Sequence, residues 1–463
     1  MLYHRFFRAE KLILALLLLL ISAPFSSDLR GDEPNILTRV VFQDDDAKTV
    51  RWADLLAGSP PKLGPVQTIA GFPKLDAEKQ SLVQMGVAEG MILVGVRDEE
   101  DGKLQSGWVL IDSGVRSEDH GDHSHSTYES APKIVATQLD NAQGNPAHLY
   151  VYDNVFYLAN DKLNGYTRID PKTLDLKSGA SEIVKQAQFV SGGGGHITLA
   201  AVDKKVGYSS WIDRSGERQG QVDVSRFSDG KVAYSLKLPS GGIHGATSNS
   251  GKVFFAPSDG ICWVEADLDA SLGATQVKTH HLSLGKEASS DKPLRTGAFT
   301  NLGHHVLFVT GKGAQATLCT LDAQATDPQP TMLPLGLEEG ASPVGPMVGY
   351  FLGETPIALL FHDHPSTSEA KHYLSVVELD PNRDGLFADA AILHRMEVGR
   401  SRVSGHAGHH DASILADQKH ALLSNPGDGT LVLVRPRRAE EVATFQVGGA
   451  PSKVETIGGP SGH

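Results

Sequence analysis

The sequence predicts an all-β fold: a single β-propeller of seven four-stranded blades. Three observations carry this. Glycine-rich turns punctuate short runs of Val, Ile, Tyr, Thr and Leu along nearly the whole chain. Beyond the N-terminus no long segment shows a helical period. Strand–turn–strand units that end in an acidic residue recur, with closers Asp112, Asp170, Asp213, Glu265, Asp322 and Asp380 at intervals of about 43 to 58 residues, near the period of a propeller blade.

The N-terminal segment comes first. Arg5, Arg8 and Lys11 precede an apolar run from Leu12 to Ile21, and a small, polar stretch follows to Ser27. This is the layout of a secretory signal peptide, too short to span a bilayer comfortably. Residues 1–27 are therefore read as a signal peptide with cleavage between Ala23 and Ser27, and 28–463 as the propeller, periplasmic or secreted with no stable membrane anchor. The formal charge of the whole chain is -13, and removal of the segment makes it about -15. A surface this acidic repels nucleic acid and anionic lipid and tolerates cations. Cys262 and Cys319 are the two cysteines, each in a different unit, so a free, buried pair is expected rather than a disulfide.

The seven units begin at "MILVGVRDEEDGKLQSGWVLID", "HLYVYDNVFYLANDKLNGYTRID", "HITLAAVDKKVGYSSWID", "HGATSNSGKVFFAPSDGICWVE", "HHVLFVTGKGAQATLCTLD", "ALLFHDHPSTSEAKHYLSVVELD" and "HHDASILADQKHALLSNPGDGTLVLV". The tail "EVATFQVGGAPSKVETIGG" holds the "VGGAP" turn common in propeller repeats, and with "LTRVVFQ" near Leu37 it supplies strands that close the ring. Closure removes sheet edges that would invite aggregation. A solenoid of the same period is the alternative.

Histidines concentrate at one position of the repeat. A blade's first strand starts beside the central funnel, and the residue just before it faces the axis. His148, His196, His244 and the pair His409 and His410 occupy this slot in four of the seven units. His304, His305 and His420 align instead with the turn between first and second strands on the opposite face, where a solvated turn is expected. His280, His281, His372 and His394 share no position and read as structural, while "FHDHP", with His362 and His364, reads as an auxiliary site. Several chain-distant imidazoles on one rigid ring suit Zn²⁺, which takes about four N, O or S ligands at roughly 2.0 to 2.1 Å. Flanking glycines let the backbone turn tightly at each ligand, and nearby carboxylates can hold the second ring proton.

One further stretch, "EDHGDHSHS" from Glu118 to Ser126, packs His120, Asp122, His123 and His125 into a long loop after the first unit. His120 and His123, three apart, can share one ion with Asp122 beside them, although a loop after the third strand leaves from the face away from His148. Together with "NPAHLYVYDNVFYLA" and "IHGATSNSGKVFFAPSDGI", this motif resembles the periplasmic zinc metallochaperones of the AztD type, β-propellers that partner an ABC zinc importer. The resemblance runs from about Gly90 to the last repeat and rests most on "EDHGDH"; Ala246, after Gly245, departs from the family pattern. It implies that His120, His123, His148, His196 and His244 lie in histidine-bearing segments of the family. It also implies that the chain binds Zn²⁺ and passes it to a solute-binding protein of a zinc ABC transporter.

Three functions follow from these residues. The first is a Zn²⁺ carrier, not an enzyme. The second is a metal-dependent hydrolase or lactonase that keeps an open position for water on the same ion; the chain has no GxSxG elbow and no haem-attachment signature. The third is a protein-binding propeller scaffold with incidental histidines.

Overall fold

The computed structural model describes residues 35–100, 104–119, 124–213, 216–404 and 407–461. The signal-peptide reading of 1–27 lies outside them. Among the described residues no helix is long and apolar enough to cross a membrane.

The fold is a single β-propeller, but it has eight blades rather than seven. Blades 1 to 7 are the seven units of the sequence: 80–140, 146–191, 199–237, 246–282, 300–334, 342–398 and 411–446. The eighth comes from both chain ends. Its strands lie in the order Lys62–Leu63, Thr49–Leu56, Ile36–Asp44, Pro451–Ile457, so the last strand of the chain is innermost and the first three complete the sheet. Seven units were expected to fill the ring, with the strands of the two chain ends only closing it. They are a full blade whose repeat is split across the termini.

A hydrophobic cluster fills each gap between neighbouring blades. Strands of one blade therefore bury residues on both faces, which is why Thr355–Asp363 and Ser106–Asp112 are buried throughout. Cys262 belongs to the interface of blades 3 and 4 and Cys319 to that of blades 4 and 5. Both are free and buried, as expected, and burial pushes both thiols up to about 12.

The acidic closers have a structural explanation. Asp112 accepts from the Gly114 N–H at 2.9 Å, Asp322 from Gln324 at 2.8 Å, and Asp380 from Asp384 and Gly385 at 3.1 and 3.0 Å. Each turns the chain out of a third strand by satisfying its N–H groups. Asp213 does not belong to this set: it lies between Val206–Ser210 and the third strand of blade 3, Gln221–Arg226.

Closure of the ring is fastened by Asp44. Its buried carboxylate accepts from the N–H groups of Asp46 and Ala47 at 3.2 Å and Ala450 at 3.1 Å, and pairs with Arg51 at 3.1 Å. Gly449, in the "VGGAP" turn, has φ +65, and a Cβ there would stand 2.2 Å from Asp44 Oδ2. Only glycine permits both the turn and the carboxylate.

His305 corrects one expectation of a wet turn. It is 4% exposed and stacks on Phe387 with ring centroids 3.7 Å apart. Burial, with His304 beside it, drives its pKa down to about 4.

Two outcomes are expected. Asp44→Ala lowers unfolding free energy by about 2–4 kcal/mol, because the buried Ala450 N–H loses its partner, and a shift in denaturant midpoint measures this. Between pH 6.5 and about 4 the unfolded chain binds a proton at His305 that the folded chain does not, so stability falls as pH falls through this window. His305→Leu should flatten that slope in denaturation curves taken across it.

Candidate metal centre

Three first strands bring three imidazoles together. His148 lies in Pro146–Tyr152, where the pairing slips by one residue between Pro146 and His148, and such a bulge re-aims the side chain. His196 follows Gly192–Gly195, in which Gly193 and Gly195 have φ +76 and +74 and a Cβ on Gly195 would meet Ile212 O at 2.0 Å. His244 precedes Ala246–Asn249 and is pinned by its N–H to Ala256 O at 3.0 Å.

One ligand atom from each of His148, His196 and His244 lies within 4.8 Å of the others, and all three residues are half-buried. Ring centroids are 4.6, 5.9 and 5.2 Å apart for the pairs 148/196, 148/244 and 196/244. In a tetrahedral Zn²⁺ site, bonds of roughly 2.0–2.1 Å place ligand atoms about 3.3–3.4 Å apart. The His148 and His196 Nε2 atoms, at 2.8 Å, need to part by only about half an ångström to reach this.

The hydrogen bonds set the proton positions. Asp161 Oδ2 faces His196 Nδ1 at 3.1 Å, while Asp161 Oδ1 accepts from the Ile197 N–H at 3.1 Å. A carboxylate only accepts, so His196 carries its proton on Nδ1 and presents the Nε2 lone pair. His148 then donates its Nε2 proton across the 2.8 Å contact, and an arriving cation requires that proton to leave or to move to Nδ1. Arg97 stands 3.7 Å from Asp161. The Tyr150 ring lies 6.0 Å from His148, and burial holds its phenol well above the usual range, hence uncharged.

His409 and His410 do not join this group. They precede the first strand of blade 7, across the ring from blade 3, and both turn to Asp363 of blade 6: His409 Nδ1 to Oδ2 at 2.9 Å and His410 Nδ1 to Oδ1. His362 is satisfied at both nitrogens, by Glu338 Oε2 and Ser375 Oγ at 2.8 Å each. His372, read as structural, lies with Asp363 and His410 in a second cluster of ligand atoms. The signal for it was the hairpin itself, since Asp363 ends Thr355–Asp363 and His372 begins His372–Glu378, its antiparallel partner.

The described residues on either side of 120–123 form a two-stranded ribbon, Val115–Asp119 with Ser124–Tyr128. His125 stands opposite Glu118 in it. His120, Asp122 and His123 lie outside the described residues. The base of the ribbon is fastened where first strands end, not where they start: Ser113 N–H bonds Gly90 O at 3.0 Å, and Tyr128 Oη donates to Gly459 O at 2.7 Å. Its base is thus on the face opposite the triad.

No protein-family model and no curated protein matches the chain. Solved structures do. Apo AztD from Citrobacter koseri superposes with a TM-score of 0.59 at 13% identity, covering 92% of this chain and 100% of that one. A second Citrobacter koseri AztD structure gives 0.60 at 14% identity with the same coverage. Dihydro-heme d1 dehydrogenase NirN in complex with DHE gives 0.52 at 15% identity, covering 91% of this chain and 75% of that one. At such identities the likeness is one of fold: this chain has an AztD-like β-propeller.

Proposed function

We propose that this chain is an exported Zn²⁺ carrier that holds the ion on His148, His196 and His244 and surrenders it by ligand exchange to a solute-binding protein of a zinc ABC transporter. The observation that carries this reading is the meeting of three imidazole nitrogens within 4.8 Å at a half-buried position. Three protein ligands leave a fourth position of a tetrahedral ion open, and an incoming ligand from a partner can enter there. The motif resemblance to AztD-type zinc metallochaperones supports the same cargo and partner. Asp161 engages both its oxygens in holding His196 and Ile197, which favours carriage over hydrolysis, since a hydrolytic site needs a base facing the metal-bound water.

The acidic ribbon, with His120, Asp122, His123 and His125, collects or hands over ions. Because its base is on the opposite face from the triad, ribbon and triad serve separate ions. His409 and His410 belong to a third location in blade 7.

Calorimetry of untagged, metal-free protein at pH 7 should show Zn²⁺ binding that the triple variant His148→Ala, His196→Ala, His244→Ala has lost at the exchangeable site; unchanged binding would overturn the reading. Asp161→Asn, which removes the group that orients His196, should weaken that site by about 10–100-fold. Binding should also weaken from pH 7 to pH 5, because protons compete with the metal for the imidazole lone pairs.

A further inference from the structure

The second cluster, in blades 6 and 7, differs from the triad in burial and in chemistry. Asp363, His372 and His410 each offer one ligand atom, all within 4.8 Å of one another, and they are only 2%, 3% and 2% exposed. The cluster is closed to bulk water. His410 donates from Nε2 to Gly399 O at 2.9 Å, so its Nδ1 lone pair is directed at the Asp363 carboxylate unless a proton or a cation lies between them. His372 has a long contact, 3.4 Å, between Nδ1 and Ser401 Oγ. His364, 2% exposed and edge-on to His372 with centroids 5.3 Å apart, has an Nε2 with no hydrogen-bond partner. Buried polar groups are normally satisfied, and the unpartnered nitrogen of His364 borders three converging ligand atoms.

From this we infer that Asp363, His372 and His410 hold a second divalent transition-metal ion, of the Zn²⁺ class, that is retained in the fold rather than exchanged. Two imidazoles and a carboxylate are a donor set that Zn²⁺ accepts. The ring of His410 is already fixed, stacked on Phe361 at 4.7 Å and 10°. Asp363 and His372 come from a hairpin of blade 6, and His410 from the entry to blade 7, so the ion ties two blades together. Burial slows its exit, whereas the half-buried triad exchanges.

This site stands apart from the proposed carrier site, and one experiment separates them. Untagged protein is saturated with Zn²⁺, desalted, treated briefly with EDTA and analysed for metal. One chelator-resistant ion per chain is expected in the wild type and in the triad variant, and none in His372→Ala. Absence of a resistant ion in the wild type, or its persistence in His372→Ala, overturns the inference without touching the carrier reading. Should His372→Ala fail to fold, anomalous scattering at the zinc edge from wild-type crystals decides: a peak among Asp363, His372 and His410 supports the site, and its absence after Zn²⁺ soaking overturns it.

Discussion

Everything in this molecule depends on the antiparallel pairing of Ile36–Asp44 with Pro451–Ile457. These strands come from opposite ends of the chain, and their union turns seven sequential sheets into a closed ring of eight. Without it these two strands would present bare edges, and blades 1 and 7 would each expose an apolar face to water. The Asp44 carboxylate sits at the crossing, bonded to N–H groups on both sides of the closure. The join is therefore polar as well as apolar.

The number of blades decides how the histidines group. First strands of neighbouring blades touch one another around the funnel, so residues at the same slot of consecutive blades meet, and residues across the ring do not. Blades 2, 3 and 4 are consecutive, and His148, His196 and His244 converge. Blade 7 stands across from blade 3 in an eight-membered ring, and His409 and His410 find Asp363 of the adjacent blade 6 instead. A single funnel-wide set of imidazoles is thus divided into two by geometry alone.

Carboxylates give both groups their chemical character. Asp161 fixes the tautomer of His196 from behind and leaves a lone pair facing the funnel, while Asp363 stands among its histidines and accepts from His409 and His410. The same residue type with different placement borders a half-buried cluster in one case and lies inside a buried one in the other. An acidic chain of net charge -13 is compatible with both, since a field of that sign draws cations and keeps anions away.

The amino-acid sequence by itself determined the all-β class, the repeat, the free cysteines, the closing role of the tail and the shared slot of His148, His196 and His244. These follow from periodicity and turn chemistry, which are local and survive without knowledge of packing. Only the tertiary structure decided the eighth blade, because a repeat split between Ile36 and Pro451 has no periodic signal to read. It also decided that Asp213 closes no third strand, that His305 is buried against Phe387, and that His372 joins Asp363 and His410. Each of those rests on which strand lies beside which across a sheet or a blade interface, and that is a property of the closed ring rather than of any segment of the chain.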